Sequence, residues 1–368
     1  MASRPDAARP VARARNDSRN VLVVDDSAVA RLIVQRVINE TDRFFVAGHA
    51  ASAEDALDQL MRTSVDLVVL DIAMPGMNGI EAIPHIIRKS GNAPILIVSS
   101  HCREGAELSV RAMAMGASDL ILKPESRAEN EQFASALRAA MIRLTEGRAE
   151  PSPPLVGPNG TDTAGAAATT QIHRPVKCLA IGASTGGIHA VSQLFAALPR
   201  DLAIPILVTQ HLPADFIVYF AKQLQVTAGR RVMPARDGQR VSNTDVLIAP
   251  GDAHLTVVRG DGDLYVSFDR APASNGFCPS VDPMLSSVAE VFGDDAIGVV
   301  LTGMGRDGVL GAAELADAGG ELLVQDSESS VIWGMPGAVA NQGIANLVAP
   351  PADIADHIAR RAKAFGCS

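Results

Sequence analysis

The sequence predicts an α/β fold with two parallel sheets, each doubly wound by helices on both faces. Short apolar runs alternate with amphipathic segments over residues 20–146 and again from residue 176 to the end. Parallel strands buried on both faces consist of such continuous apolar runs, and helices of period 3.6 connect them. A stretch rich in proline, glycine and threonine separates the two regions and is typical of a linker. At 368 residues the chain is also long for a single core.

These patterns divide the chain into four predicted segments: a disordered basic arm (1–19), a first α/β domain (20–146), a linker (147–175) and a second α/β domain (176–368). The first domain has five predicted strands, at residues 21–24, 44–48, 67–70, 95–98 and 120–122. The second has predicted sheet strands at 176–183, 204–210, 245–248, 297–301 and 321–323, with a β-hairpin excursion formed by 254–258 and 264–268.

Composition excludes several classes of protein. The net charge of -9 argues against a nucleic-acid binder. No apolar run is long enough to span a bilayer, and the basic N-terminus lacks the apolar region of a secretory signal, so an integral membrane protein is not expected. The four cysteines are scattered without a Cys-x-x-Cys pair, which favours reduced packing residues in a cytoplasmic protein.

A first candidate site lies at the strand ends of the first domain. Asp25, Asp26 and Asp71 follow the first and third strands, while Ser99 and Lys123 end the fourth and fifth. Parallel strands bring their carboxyl ends to one edge, where three carboxylates repel unless a hard dication lies among them. Acidic residues after strands also cap helices, which is the ordinary explanation for any one of them alone.

This set of motifs resembles the response-regulator receiver family, whose fold is a flavodoxin-like five-stranded sheet. The matching pieces are Val23-Val24-Asp25-Asp26-Ser27, Asp71-Ile72-Ala73-Met74-Pro75-Gly76-Met77-Asn78-Gly79, Ser99-Ser100, Gly116-Ala117 and Lys123-Pro124. The resemblance implies that a partner histidine kinase phosphorylates Asp71, and that Ser99 and Lys123 contact the phosphoryl group. It also implies that Mg²⁺ lies among Asp25, Asp26, Asp71 and the backbone carbonyl of Ala73. One departure is Leu120, where many receivers carry an aromatic switch residue.

A second candidate site starts from Ser184, which follows a buried strand within Gly182-Ala183-Ser184-Thr185-Gly186-Gly187. His211 and Asp307 also follow strands of the second sheet, so the three side chains are expected to converge. A hydroxyl, an imidazole that takes its proton and a carboxylate that orients the imidazole form a set for acyl transfer. The glycines after residue 302 leave backbone amides open as an oxyanion hole.

Each part of this second site has an alternative explanation. The glycine-rich turn could bind a phosphate or a nucleotide, although Ser184 replaces the second glycine of the dinucleotide fingerprint. His211 could be a packed turn histidine, and Asp307 a helix cap. His254 is a rival base, discounted because it begins a strand of the predicted hairpin. The order Ser…His…Asp differs from that of the α/β-hydrolases.

Residues 176–350 resemble the catalytic domain of the chemotaxis receptor methylesterases, the protein-glutamate methylesterase response regulators. The matching pieces are residues 181–187, Gln210-His211-Leu212-Pro213, Ile248-Ala249-Pro250-Gly251, Pro279-Ser280-Val281-Asp282, residues 301–308 and Trp333-Gly334-Met335-Pro336. The resemblance implies Ser184 as nucleophile, His211 as general base and then acid, and Asp307 as the orienting carboxylate. It also implies the amide of Met304 as an oxyanion donor, while Thr185 beside the nucleophile shapes the site.

Two departures from this family stand near the candidate sites. Phe277-Cys278 replace the usual His-Arg before Pro279, a change expected to alter substrate contacts, and Ala73 replaces a usual Glu, a change expected to alter the phosphoryl lifetime.

The resemblance implies a phosphorylation-activated esterase that acts on glutamate methyl esters of chemoreceptors in chemotaxis adaptation, with glutamine deamidation as a related activity and no cofactor in the catalytic site. In the unphosphorylated state the receiver is expected to cover the catalytic face. A receiver-linked phosphate- or nucleotide-binding module stays open as an alternative. A transcriptional regulator is disfavoured because the second region has no helix-turn-helix pattern or basic recognition helix.

Overall fold

The computed structural model describes residues 18–99, 103–124, 126–146 and 175–363. Most of the predicted arm (1–19) and nearly all of the predicted linker (147–175) therefore lie outside the described residues, as do Cys102 and Cys367. The boundaries of the two domains stay predictions. No helix within the described ranges is long and apolar enough to cross a membrane.

The first sheet has five strands, all parallel, in the order β2-β1-β3-β4-β5, and confirms the predicted doubly wound arrangement. The strands are β1 (Arg19–Val24), β2 (Phe44–Ala50), β3 (Leu67–Asp71), β4 (Ile95–Ser99) and β5 (Asp119–Leu122). The helices are α1 (Ala28–Asn39), α2 (Ala53–Leu60), α3 (Gly79–Lys89), α4 (Arg103–Ala114) and α5 (Asn130–Glu146), the last preceded by a 3₁₀ turn at Arg127–Glu129.

The helices of this first domain begin at side-chain caps that the sequence provides after the strands. Ser27 accepts from the amide of Ala30, and Asn78 accepts from the amide of Glu81, so each satisfies a backbone donor of the first turn. The strand β3 is buried on both faces, which explains its unbroken apolar sequence.

The second sheet has seven parallel strands in the order β14-β13-β12-β6-β7-β9-β8. The strands are β6 (Cys178–Ala183), β7 (Ile206–Gln210), β8 (Val232–Pro234), β9 (Val246–Ile248), β12 (Ala296–Val300), β13 (Glu321–Gln325) and β14 (Leu347–Ala349). The helices are α6 (Gly187–Ala197), α7 (Ala214–Ala228), α8 (Val281–Phe292), α9 (Val309–Asp317), α10 (Met335–Ala340) and α11 (Pro351–Lys363), with a 3₁₀ turn at Gly293–Asp295. The two outermost strands, β8 and β14, were not predicted.

The predicted hairpin forms a separate two-stranded antiparallel sheet of β10 (His254–Gly260) and β11 (Asp263–Asp269). Its two turn residues, Asp261 and Gly262, both have positive φ, which is the conformation of the tight turn that Asp-Gly favours. The hairpin packs against α8, so it covers the sheet face opposite α6 and α7.

The strand β6 is the central strand of the second sheet, and later strands of the chain are added on both sides of it. It pairs with β7 on one side and β12 on the other. The loops that leave β6, β7 and β12 therefore diverge and open a crevice at their carboxyl ends, which is where open α/β sheets bind ligands.

The first domain packs on this crevice. The helix α4 contacts α6 and α7, and the ring Nδ1 of His189 lies 2.8 Å from the carbonyl oxygen of Ala114. The amide of Gly186 donates to the carbonyl of Ser118 at 2.9 Å. One cluster of buried apolar side chains is continuous across both domains.

Candidate functional site

Ser184 stands on a tight turn between β6 and α6. Its amide donates to the carbonyl of Thr302 at 3.0 Å, and its carbonyl accepts from the amide of Gly187 at 2.8 Å. Gly186 has a φ of 77°, a conformation that glycine adopts without strain. A Cβ at Gly187 would come within 2.2 Å of Gln210 Oε1 and 2.7 Å of Ala183 Cβ, so a larger residue there would force the strand β6 or Gln210 to shift. The turn therefore presents the Ser184 hydroxyl at the mouth of the crevice.

His211 joins Ser184 to Asp307 through its two ring nitrogens. Its Nδ1 lies 3.0 Å from Ser184 Oγ, and its Nε2 lies 2.6 Å from Asp307 Oδ2. An ionised carboxylate only accepts hydrogen bonds, so Nε2 carries the proton and Nδ1 is left to accept from the serine. This arrangement of hydroxyl, imidazole and carboxylate is the geometry that general-base activation of a serine requires.

Asp307 has no exposed surface, and its charge is compensated by hydrogen bonds. The donors besides His211 are the Ser280 hydroxyl at 2.6 Å, the Asn275 side-chain amide at 2.7 Å, and the backbone amides of Val281 and Asp282 at 2.8 and 3.2 Å. Burial by itself raises the pKa of the Asp307 carboxyl, but the bonds from His211, Ser280 and Val281 outweigh it and lower the pKa to about 2. Asp307 is therefore ionised at neutral pH, where it can accept the hydrogen bond from His211 Nε2.

A second buried carboxyl, Asp282, lies beside Asp307. Asn275 Nδ2 donates to both carboxyls, and the amide of Gly311 donates to Asp282 Oδ1 at 3.0 Å. Burial raises the pKa of Asp282, the Gly311 bond opposes that rise, and the charge of Asp307 adds to it. The pKa values of the two carboxyls therefore shift in opposite directions, downward at Asp307 and upward at Asp282.

Two backbone amides near Ser184 are open to a substrate. Within the described residues, the amides of Thr185 and Met304 donate to no protein acceptor, whereas those of Ser184 and Gly303 are occupied by carbonyls. Gly303 lies so near the nucleophile that a Cβ there would come within 2.7 Å of Ser184 Cβ. The open amide of Met304 belongs to the residue that follows this close contact.

The rival base, His254, has both ring nitrogens engaged. Its Nδ1 accepts from the amide of Ser280, and its Nε2 lies 2.9 Å from the carbonyl of Ala271. The side chain is almost completely buried at the start of β10. His254 is therefore a structural residue that holds the 271–280 loop, which agrees with its being discounted as the base.

The crevice is covered by the first domain. A cavity of about 510 Å³ lies between the two domains, lined on one side by Ser184, His211 and Phe216 and on the other by Leu120 and Phe133. Leu120, the departure noted in the sequence, thus faces the catalytic domain with an aliphatic side chain.

The acidic residues of the first domain converge as predicted. One carboxylate oxygen from each of Asp25, Asp26 and Asp71 lies within 4.8 Å of the others, and Lys123 Nζ is 2.9 Å from both Asp25 Oδ2 and Asp71 Oδ2. Burial raises the pKa of Asp25, which Lys123 opposes by hydrogen bonding and by charge. Three hard oxygen donors at this spacing fit a divalent cation such as Mg²⁺.

The remaining predicted residues lie around this pocket. Ser99 is buried at the end of β4, and its hydroxyl donates to the carbonyl of Gly105 at 3.3 Å. Ala73 is exposed two residues after Asp71, and its amide lies 3.4 Å from Asp71 Oδ1. Both therefore stand at the edge where the carboxylates gather.

Sequence reasoning missed the residues that hold Asp307. Ser280 lies in the Pro279-Ser280-Val281-Asp282 motif, which was noted as a family match without a role. Asn275 gave no signal, because it belongs neither to a strand end nor to a motif. Phe277 was noted as a departure from the family that should alter substrate contacts, and its stacking on His211 was not predicted. These residues, which contact Asp307 and His211, lie in the loop between β11 and α8, and loop conformation cannot be predicted from a hydrophobic period.

Comparison with known proteins identifies the family of each domain. The family model described as CheB methylesterase matches residues 179–358, and the model described as response regulator receiver domain matches residues 21–134. A protein-glutamate methylesterase/protein-glutamine glutaminase 2 of Caulobacter vibrioides is 38% identical over 352 residues, covering 93% of this chain and 99% of the relative. A protein-glutamate methylesterase/protein-glutamine glutaminase of Azospirillum brasilense is 36% identical over 374 residues, covering 96% and 95%.

The crystal structure of the Thermotoga maritima CheB methylesterase catalytic domain is 35% identical and covers 51% of this chain and 99% of that chain, with a TM-score of 0.49. The full-length relatives and the two family models confirm the resemblances drawn from the motifs. The chain therefore belongs to the CheB methylesterase family and carries a response regulator receiver domain ahead of its methylesterase domain.

Proposed function

We propose that this protein hydrolyses γ-glutamyl methyl esters on the cytoplasmic helices of chemoreceptors, with Ser184 as the nucleophile. The observation that carries the proposal is the chain of contacts from Ser184 Oγ to His211 Nδ1 and from His211 Nε2 to Asp307 Oδ2. The curated relatives named as protein-glutamate methylesterases support the choice of substrate.

The mechanism follows from these contacts. His211 Nδ1 takes the proton of Ser184 as Oγ attacks the ester carbonyl, and Asp307 stabilises the imidazolium that forms. The amides of Thr185 and Met304 donate to the developing oxyanion. His211 then gives the proton to the methoxy oxygen as the C–O bond breaks, so that methanol leaves, and water attacks the acyl-enzyme by the same steps to release the carboxylate and Ser184. No cofactor is needed at this site.

The same residues support deamidation of a glutamine side chain. Attack of Ser184 on a carboxamide gives the same acyl-enzyme, and His211 protonates the amide nitrogen as the C–N bond breaks, so that ammonia leaves in place of methanol. The relatives' second name, protein-glutamine glutaminase, supports this activity.

We infer that the receiver controls access to this site. A chemotaxis histidine kinase is the expected donor of a phosphoryl group to Asp71, with Lys123 and Ser99 binding its oxygens. Mg²⁺ would be held by Asp25, Asp26, Asp71 and the carbonyl of Ala73, where it would neutralise the carboxylates and polarise the transferred phosphoryl group. Phosphorylation would shift the population towards an open arrangement of the two domains.

Methanol release from a methylated receptor tests the proposal. Ser184→Ala should lose the activity by several orders of magnitude, because the nucleophile is gone. Ser192→Ala is the matched control, since Ser192 lies on α6 with its hydroxyl bonded to the carbonyl of Ile188 and away from the triad. Full activity in Ser184→Ala would overturn the assignment.

A further inference from the structure

Phe277 is an exposed aromatic residue whose ring lies on the face of His211. The two ring centroids are 4.5 Å apart, and the planes differ by 16°. This separation lies within the range of favourable aromatic pairs. Phe277 is 39% exposed, whereas His211 keeps only 11% of its side-chain surface exposed. Packing in the core therefore does not explain where the Phe277 ring lies.

The position of Phe277 is fixed by the same carboxylate that orients His211. The amide of Phe277 donates to Asn275 Oδ1 at 2.9 Å, and Asn275 Nδ2 donates to Asp307 Oδ1 at 2.7 Å. Asp307 Oδ2 in turn accepts from His211 Nε2. One carboxylate thus holds the imidazole by its edge and, through Asn275, holds the aromatic ring against the imidazole face.

We propose that Phe277 is a positioning residue for His211, and that it favours the imidazolium formed during the reaction. The inference rests on the proposed function, because it concerns the proton that His211 takes from Ser184. The face of an aromatic ring attracts a cation more strongly than a neutral ring. The stacking is therefore stronger in the transition state than in the ground state, and an interaction of that kind acts on kcat rather than on KM.

Steady-state methanol release by the full chain, on methylated receptor, tests this role with three variants. Phe277→Leu keeps an apolar side chain but removes the ring, and it should lower kcat by roughly threefold to thirtyfold while KM stays within about twofold. Phe277→Tyr restores an aromatic face and should return kcat to within about twofold of the parent protein. Val258→Ala is the control, since Val258 is also an exposed apolar residue and lies on the hairpin strand β10.

Three results would overturn the role of Phe277. The first is a kcat of Phe277→Leu equal to that of the parent protein, and the second is a higher KM with unchanged kcat, which would make Phe277 a substrate contact. The third is a Phe277→Tyr variant as slow as Phe277→Leu. Ser184→Ala measured alongside separates the two proposals. An active Ser184→Ala refutes the proposed function, whereas an inactive one with an unaffected Phe277→Leu refutes only the inference about Phe277.

Discussion

The amide of Gly186, two residues after Ser184, donates to the carbonyl of Ser118 in the receiver domain. The contact lies at the N-terminus of α6, where the backbone amides face the crevice. The receiver therefore contacts the nucleophile turn directly as well as covering it, and the proposed activation would break this hydrogen bond.

Removal of residues 1–146 should raise the basal rate of methanol release, because the receiver surface that lines the 510 Å³ cavity would be gone. We expect an increase of roughly fivefold or more, the scale of typical coupling between two sites. Rates of the truncated and full-length proteins at equal concentration measure it, with Trp333 fluorescence as the check of folding. An unchanged or lower rate in a folded truncation would contradict the covering role of the receiver.

Gly303→Ala should slow the reaction by up to about 100-fold, since displacement of reacting groups by an ångström has effects of that size. A Cβ there would come within 2.3 Å of Met335 Sδ and 2.7 Å of Ser184 Cβ. Gly260→Ala is the matched control, because its nearest neighbours are ring atoms of Tyr265 at 3.5 and 3.6 Å. Equal kcat in the two variants would show that close packing of Gly303 on the nucleophile does not matter.

Loss of His211 and loss of His254 should affect different properties of the protein. His211→Ala should reduce kcat by roughly 1,000-fold or more. His254→Ala removes the acceptor for the Ser280 amide and the partner of the Ala271 carbonyl, and should lower the free energy of unfolding by about 2 kcal/mol or more. Methanol release and urea unfolding of both variants distinguish these roles. A His254→Ala variant that is stable but inactive would instead identify His254 as the general base.

Asp307 makes the stability of the catalytic domain depend on pH at the acid end. A carboxyl whose pKa falls from 3.8 to about 2 on folding contributes about 2 kcal/mol, present in full above the unfolded pKa and lost as pH falls through about 2. The stability gap between the parent protein and Asp307→Asn should therefore narrow between pH 6 and pH 3. Urea unfolding followed at Trp333, the single tryptophan, reports this domain alone. A gap independent of pH would contradict the lowered pKa.

Mg²⁺ should stabilise the receiver through the acidic cluster. A ligand that binds only the folded state raises its stability, so Mg²⁺ should raise the melting temperature and EDTA should reverse the rise. Asp25→Asn should reduce this increment, because it removes one of the three carboxylates. Asp66→Asn is the control, since Asp66 lies before β3 and accepts from the amide of Asn20 at the opposite end of the sheet. If Mg²⁺ raises the melting temperature of Asp25→Asn and Asp66→Asn by the same amount, the acidic cluster is not the Mg²⁺ site.

The sequence predicted the site residues that follow strand ends and missed the contacts of residues whose positions depend on the conformation of a loop. Ser184, His211 and Asp307 each follow a long apolar run, and the parallel sheet brings such positions together by its geometry. The edge strands β8 and β14 have three residues each, too few for a periodic signal. Asn275 and Phe277 lie in a loop, where tertiary contacts with Asp307 and His211 set the conformation.

The central claim is that Ser184 performs the ester hydrolysis under control of Asp71. Methanol release from methylated receptor, with and without a small phosphodonor, tests it most directly on the parent protein, Ser184→Ala and Asp71→Asn. We predict stimulation of the parent protein, basal activity without stimulation in Asp71→Asn, and no activity in Ser184→Ala under either condition. Stimulated methanol release by Ser184→Ala, or by Asp71→Asn, would contradict the account.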